Sequence, residues 1–282
     1  TSLDGEASAE IQLNTKKKQT RAKILNRTFL NVDIEWPVLN DLKLAVLQNP
    51  IDGSSEILIT DPTNNLLRIN DLKSGKPDIL TQLNGPIVTD AYNVDFLNIG
   101  RRQRVLATQN ELYAIDEDDS STVIKFSMPF LSPSPITSLS LIDGGQDGSN
   151  RFIIKNAAQE LFLWESVAKP IRKLTQNIKF EHIQNPVVTL NQIGNRAYIV
   201  TQGNGKIYVI DENKSVKKGF PIDILSRTIS PFTWIQNPNS GQAEIVGVSA
   251  SGELIKVSLD GKILSRRQLL RPEPGSEFQI KF

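Results

Sequence analysis

Cysteine is absent from the 282-residue chain, and histidine occurs once, as His182. These absences exclude disulfide cross-links, thiolate or multi-histidine metal centres and a cysteine nucleophile. An excess of either charge is also missing. The 32 basic residues stand against 31 acidic ones, a formal charge of +1, which leaves no electrostatic footprint for nucleic acid. Hydrophobic runs such as Ala197 to Val200 and Ile245 to Val248 fall far short of the ~18 apolar residues of a membrane span. Direct membrane insertion is therefore not expected. No basic, apolar, small-residue leader follows Thr1, so a processed or cloned start is expected.

What the chain does have is an internal repeat, the first feature to seek in a long sequence. Five segments resemble one another: Asn65 to Asn70, Glu111 to Asp116, Glu160 to Glu165, Lys206 to Asp211 and Glu253 to Ser258. Their fifth positions fall at 69, 115, 164, 210 and 257, a mean step of 47. A second apolar run precedes each, centred on Leu58, Leu106, Ile153, Ile199 and Val246. The same period in two separate registers marks a repeated structural unit.

Each unit reads as four strands. An innermost strand follows a proline, as in Pro86 to Thr89, Pro135 to Ser138, Pro186 to Thr189 and Pro231 to Trp234. The two apolar runs supply the second and third strands, joined by turn sequences such as Gln202-Gly203-Asn204-Gly205. A more polar fourth strand follows, as in Thr122 to Phe126 and Lys262 to Ser265. Nothing has helical periodicity. Four strands repeating at this length predict an all-β fold, a six-bladed β-propeller of four-stranded blades in one domain, 1–282. The blades are read as 277–282 plus 9–33, 37–84, 86–130, 134–178, 184–226 and 230–270. The spare C-terminal strand Phe278 to Phe282 would join three N-terminal strands and close the ring, removing exposed sheet edges.

Lys206 to Lys214 followed by Lys218-Gly219-Phe220-Pro221 resembles repeats of bacterial extracytoplasmic propellers of the quinoprotein-like and FG-GAP-like families. Glu111 to Asp116 and Leu259 to Lys262 echo the pattern. The resemblance implies a propeller that is extracytoplasmic, in the periplasm or at the cell surface, in some cases as one module of a larger chain. The tryptophan that ends quinoprotein repeats is missing, as are the Trp-Asp and Gly-His signatures of WD40 repeats, so no quinone cofactor is expected.

Chemistry-bearing residues are sparse. Asp143 to Asn150 resembles a degenerate FG-GAP calcium loop, with Asp143 and Asp147 as weak calcium candidates; too few carboxylates converge for a firm site. His182 has no nucleophile elbow nearby and is read as a structural or surface histidine. The basic run Lys16 to Lys23 falls on a turn between strands, and Arg101-Arg102-Gln103-Arg104 is a smaller one. Neither interleaves with the aromatics that single-stranded nucleic acid requires. Asp116 to Asp119 reads as an acidic turn, Trp164 as a residue buried between blades, and Trp234 as a lining of the central channel.

These observations predict a non-enzymatic protein–protein interaction scaffold, part of an extracytoplasmic envelope or secretion-associated assembly. It would have no catalytic residues and no cofactor. Its partner would be another protein, met on loops carrying Trp36, Phe130, Leu131 and Arg271. The alternative is a carbohydrate-binding or hydrolytic site at the channel mouth, built on Asn40, Asp41, Thr89 and Asp90. A calcium-stabilised adhesion module is a third reading.

Overall fold

The structure is a computed structural model that describes residues 9–15, 18–24, 44–48, 55–61, 63–69, 78–117, 123–142, 150–174, 178–192, 195–211, 213–236 and 241–269. Among these residues every regular element is a strand and every pairing is antiparallel. β1 (Ala9–Thr15) and β2 (Lys18–Ile24) form a hairpin whose last pair is Thr15 with Lys18. Five four-stranded sheets follow, each a meander in chain order. The second sheet is β3 (Leu44–Gln48), β4 (Ser55–Thr60), β5 (Asn65–Ile69) and β6 (Asp78–Gln82). The third is β7 (Tyr92–Val94), β8 (Gln103–Ala107), β9 (Glu111–Glu117) and β10 (Val123–Pro129). The fourth is β11 (Ile136–Ile142), β12 (Arg151–Asn156), β13 (Leu161–Trp164) and β14 (Arg172–Lys173). The fifth is β15 (Val188–Gln192), β16 (Asn195–Thr201), β17 (Lys206–Asp211) and β18 (Ile222–Asp223). The sixth is β19 (Thr233–Gln236), β20 (Ala243–Val248), β21 (Glu253–Ser258) and β22 (Ile263–Gln268).

The repeat read in the sequence is therefore the sheet. All five second strands and all five third strands lie where the apolar runs predicted them. One inner strand does not. In the third sheet it is β7, later than the expected Pro86 to Thr89. The cause is the Thr89 hydroxyl, which accepts the Ala107 N–H at 3.0 Å where a ladder carbonyl would stand, while Val88 N–H donates to Ala107 O. The closing strand 278–282 and the N-terminal fourth strand 27–32 lie outside the described residues.

The chain divides into two compact units, residues 1–94 with 100–129, and residues 95–99 with 130–282. The first holds the hairpin and the second and third sheets. Its core joins Leu47, Leu58, Leu66, Ile87, Leu106, Tyr113 and Ile115. The second holds the fourth to sixth sheets. Between the fourth and fifth lie Ile153, Leu161, Leu163, Val187, Tyr198 and Val200. Between the fifth and sixth lie Ile199, Ile207, Val209, Phe232, Ile245, Ile255 and Val257. Both sides of a middle strand are buried, so β8, β12 and β20 read as apolar runs and not as alternation. Each fully buried Leu or Ile contributes roughly 1.5–3 kcal/mol. Gly247 sits in β20 because the Phe232 ring occupies the space a Cβ would fill, 2.3 Å away.

Four of the five hairpins between second and third strands share one turn. Asp61, Asn156, Gln202 and Ser249 each donate their N–H to the carbonyl four residues on, and each accepts at its own carbonyl the N–H three residues on. The residue at that third position is left-handed in every case: Asn64, Gln159, Gly205 and Gly252. This is a type I turn followed by a left-handed bulge residue, and it fixes the hairpin register.

Candidate interaction face

In an antiparallel four-stranded meander, the turns between second and third strands lie on the same side as the connections to the next sheet. In the second unit this side is stitched into a continuous rim. Ala157 N–H donates to Pro135 O, Gly203 N–H to His182 O, Thr228 N–H to Gly203 O and Ala250 N–H to Arg227 O. Side chains add to it: Ile183 N–H donates to Gln159 Oε1, and the Thr228 hydroxyl to Gln202 O. Connections that would otherwise be loose are held by backbone pairing to the turns.

Two large apolar side chains stand out from this rim, Leu131 at 92% and Leu225 at 86% exposure. Neither is on slack chain. Phe130, just before Leu131, is buried edge-on against Phe162 with ring centroids 5.0 Å apart. Ser132 N–H donates to Phe130 O at 3.0 Å, which places Leu131 at the tip of a three-residue turn. Leu225 is held more tightly. Ile224 is fully buried, its N–H donates to Gly205 O, and its carbonyl accepts the Arg266 guanidinium at 2.7 Å. Leu225 N–H is capped by Asp223 Oδ1 at 2.8 Å, and Leu225 itself has φ of 57°. A left-handed conformation costs a leucine about 1–2 kcal/mol, and the surrounding hydrogen bonds impose it.

Of the sequence-predicted interaction residues, the structure thus places Phe130 in the core and Leu131 in solvent, one as pedestal and one as tip. Trp36 and Arg271 lie outside the described residues, as do Asn40, Asp41 and the calcium candidates Asp143 and Asp147. Leu225 was missed because Ile224-Leu225 reads as the end of a strand; the Asp223 cap is the only local signal of a turn. Thr89 of the channel-mouth set is fully buried, and its hydroxyl donates to Asp90 O while accepting the Ala107 N–H. Among the described residues no three His, Asp or Glu side chains converge as metal ligands. Nor is any helix long and apolar enough to cross a membrane.

The remaining sequence candidates resolve into structural roles. Arg101 pairs with Asp116 at 2.8 Å and Arg104 with Glu56, so most of the small basic run is neutralised within the first unit. His182 is exposed, with φ of 48°. Trp164 is buried against Phe96 and Phe152, with centroids 4.3 and 5.8 Å away. Trp234, expected to line the central channel, packs on the cluster between the fifth and sixth sheets and donates its indole N–H to Thr189 O at 2.8 Å.

No protein-family model and no curated protein sequence matches the chain. Similarity is found among solved structures. The crystal structure of BBS1N in complex with ARL6DN, soaked with mercury, shares 12% identity over 77% of this chain and 62% of that one, with a TM-score of 0.49. Apo AztD from Citrobacter koseri shares 14% identity over 90% of this chain and 63% of that one, with a TM-score of 0.51. The chain thus spans less than two thirds of the length of either structure. The likeness to AztD concerns the fold alone. Together with the five four-stranded meanders it defines a β-propeller-like protein.

Proposed function

We propose that the chain is a non-enzymatic protein-interaction module that receives its partner on the connection side of the second unit. The observation that carries this reading is the pair Leu131 and Leu225, exposed leucines on backbone that is pinned on either side. A pre-ordered apolar side chain loses little entropy on docking. The rim around them supplies a polar border with its own hydrogen bonds already made. The test is a photo-crosslinking amino acid placed at 131 and at 225 in the native host. One shared protein adduct is expected from both sites, lost in Leu131→Asp and Leu225→Asp proteins whose melting temperature is unchanged. Adducts from neither site, or unimpaired partner binding by both variants, would refute the assignment.

The same reading takes the propeller as six-bladed and closed by residues 277–282 joined to 9–33. The repeat length supports this. Deleting residues 277–282 should then lower the urea midpoint and promote aggregation through open edges; an unchanged midpoint would argue against closure there. An extracytoplasmic bacterial setting follows from the repeat resemblance and is checked by cell fractionation.

A further inference from the structure

Lys155 breaks the pattern of the repeat. The last paired residue of the second strand, before the turn to the third, is Thr60, Ala107, Lys155, Thr201 or Val248 in the successive sheets, opposite Leu66, Leu112, Leu161, Ile207 or Leu254. Two of these have a visible duty. The Thr60 hydroxyl accepts the N–H of Ile87, and the Thr201 hydroxyl that of Phe232, each the residue after the proline that opens the next repeat. At the fourth sheet the equivalent N–H, that of Val187, is taken by Ser140 instead. Lys155 is thereby released from the structural task of its position.

It is nevertheless 9% exposed, at the interface of the fourth and fifth sheets. Its ammonium has three donors and one partner among the described residues, the Ile183 carbonyl at 3.3 Å. Among the described residues no carboxylate balances it. Burial alone pushes its pKa below the ordinary lysine value. Ser138 is the directly opposed residue on β11 and shares its face. Its hydroxyl donates to Asn185 Oδ1 at 3.1 Å, and the exposed Asn185 amide N–H groups, at the end of the same interface, have no hydrogen bond among the described residues. Thr137, immediately before Ser138, is exposed at a register shift in β11, an irregularity that such strands carry beside binding sites.

We propose that Lys155, with the Ser138–Asn185 pair beside it, is a receptor for a carboxylate group. One buried cation and an amide donor match a monoanion with two oxygens, and the incoming charge supplies the counter-ion that the fold withholds. Inorganic phosphate, with more charge to satisfy than one ammonium offers, should bind less well. The proposal does not rest on Leu131 or Leu225, although Ile183, which Lys155 contacts, belongs to the same rim.

The experiment is Nζ-detected lysine NMR of the full chain, titrated with acetate, succinate, inorganic phosphate, and a short peptide as its free C-terminal acid and as its amide. One lysine signal, absent in Lys155→Met, should move saturably with the carboxylates. Response to the free acids alone assigns a small organic acid, and response to the acid peptide but not its amide assigns a chain terminus. Lys155→Met should fold with an unchanged or higher melting temperature, since an unbalanced buried charge is removed, and should bind about tenfold or more weakly. Asn185→Asp, which places a carboxylate beside the site, should block binding as well. The proposal fails if no probe moves the Lys155 signal, if both variants bind as the parent does, or if Lys155→Met unfolds the protein while Asn185→Asp leaves binding intact.

Discussion

Arg104 grips Glu56 with both arms of its guanidinium, Nε to Oε1 at 2.6 Å and Nη2 to Oε2 at 2.9 Å. The pair ties β8 to β4, with each side chain 14% exposed. A forked, largely buried pair of this kind differs from a surface bridge because removing either partner breaks two charge-assisted hydrogen bonds at a site water barely reaches. Arg104→Ala or Glu56→Ala should therefore cost about 1.5–3 kcal/mol in urea unfolding. Arg104→Lys should recover only part of it, because an ammonium cannot fork. Losses within about 0.5 kcal/mol would reduce the pair to a solvated bridge.

Gly205 is required by contact as well as by conformation. It has φ of 95°, and a Cβ there would lie 2.0 Å from the Ser226 carbonyl oxygen. Gly205→Ala should lower stability by more than about 2 kcal/mol and loosen the Ile224–Ser226 segment that presents Leu225. Lys214, also left-handed with φ of 66°, makes the contrast. Lys214→Gly should be neutral or stabilise by up to about 1 kcal/mol. Equal melting temperatures for Gly205→Ala and the parent would contradict the packing described.

Acid should weaken the turn between β12 and β13. The Lys173 ammonium first, and the Asn156 amide second, hold the Glu160 carboxyl below its ordinary value of 4.5. Asn156 also accepts the Glu160 N–H at 2.9 Å. A depressed folded-state pKa contributes stability that is complete above 4.5 and is lost as pH falls below it through the folded value. Urea midpoints measured from about pH 6 to about pH 3 should fall less steeply for Glu160→Gln than for the parent. Parallel curves would show that the carboxylate contributes nothing.

Thr189 buries a hydroxyl oxygen that has no hydrogen-bond partner among the described residues. Valine has the same shape and suits a strand, so Thr189→Val should raise stability by about 1 kcal/mol, the penalty of an unmet polar group. The backbone carbonyl of Thr189 would still accept the Trp234 indole. Trp164 shares the defect at its buried Nε1. Trp164→Phe should therefore be much milder than Trp164→Ala, which removes a fully buried ring and should cost about 3–5 kcal/mol. Differential scanning calorimetry separates these cases; a destabilising Thr189→Val would reveal a partner for that hydroxyl.

The sheets were legible because a middle strand buried on both sides must be apolar throughout, and two such strands recur in every repeat. Ile57, Val105, Ile153, Ile199 and Ile245 report that burial directly. Inner strands were harder to place. Pro135 and Pro186 do mark them, but Pro86 does not, because the Thr89 hydroxyl intercepts the Ala107 N–H and postpones pairing to β7. Trp234 shows the limit for side chains. Its strand was foreseen, whereas its direction depends on the Thr189 carbonyl 45 residues away.

The sequence by itself determined the repeat, the all-β class and the four-stranded unit, since each follows from periodic burial and local turn chemistry. The want of cysteine, of further histidine and of net charge likewise set aside whole classes of chemistry. Only the tertiary structure decided which leucines stand in water, which arginines are already paired and where a lysine is buried with only a carbonyl as partner among the described residues. Exposure and electrostatic partnership belong to groups brought together from distant repeats, as with Lys155 and Ile183 or Ile224 and Arg266. Spacing along the chain carries no trace of such pairs, because each depends on how one sheet packs against the next.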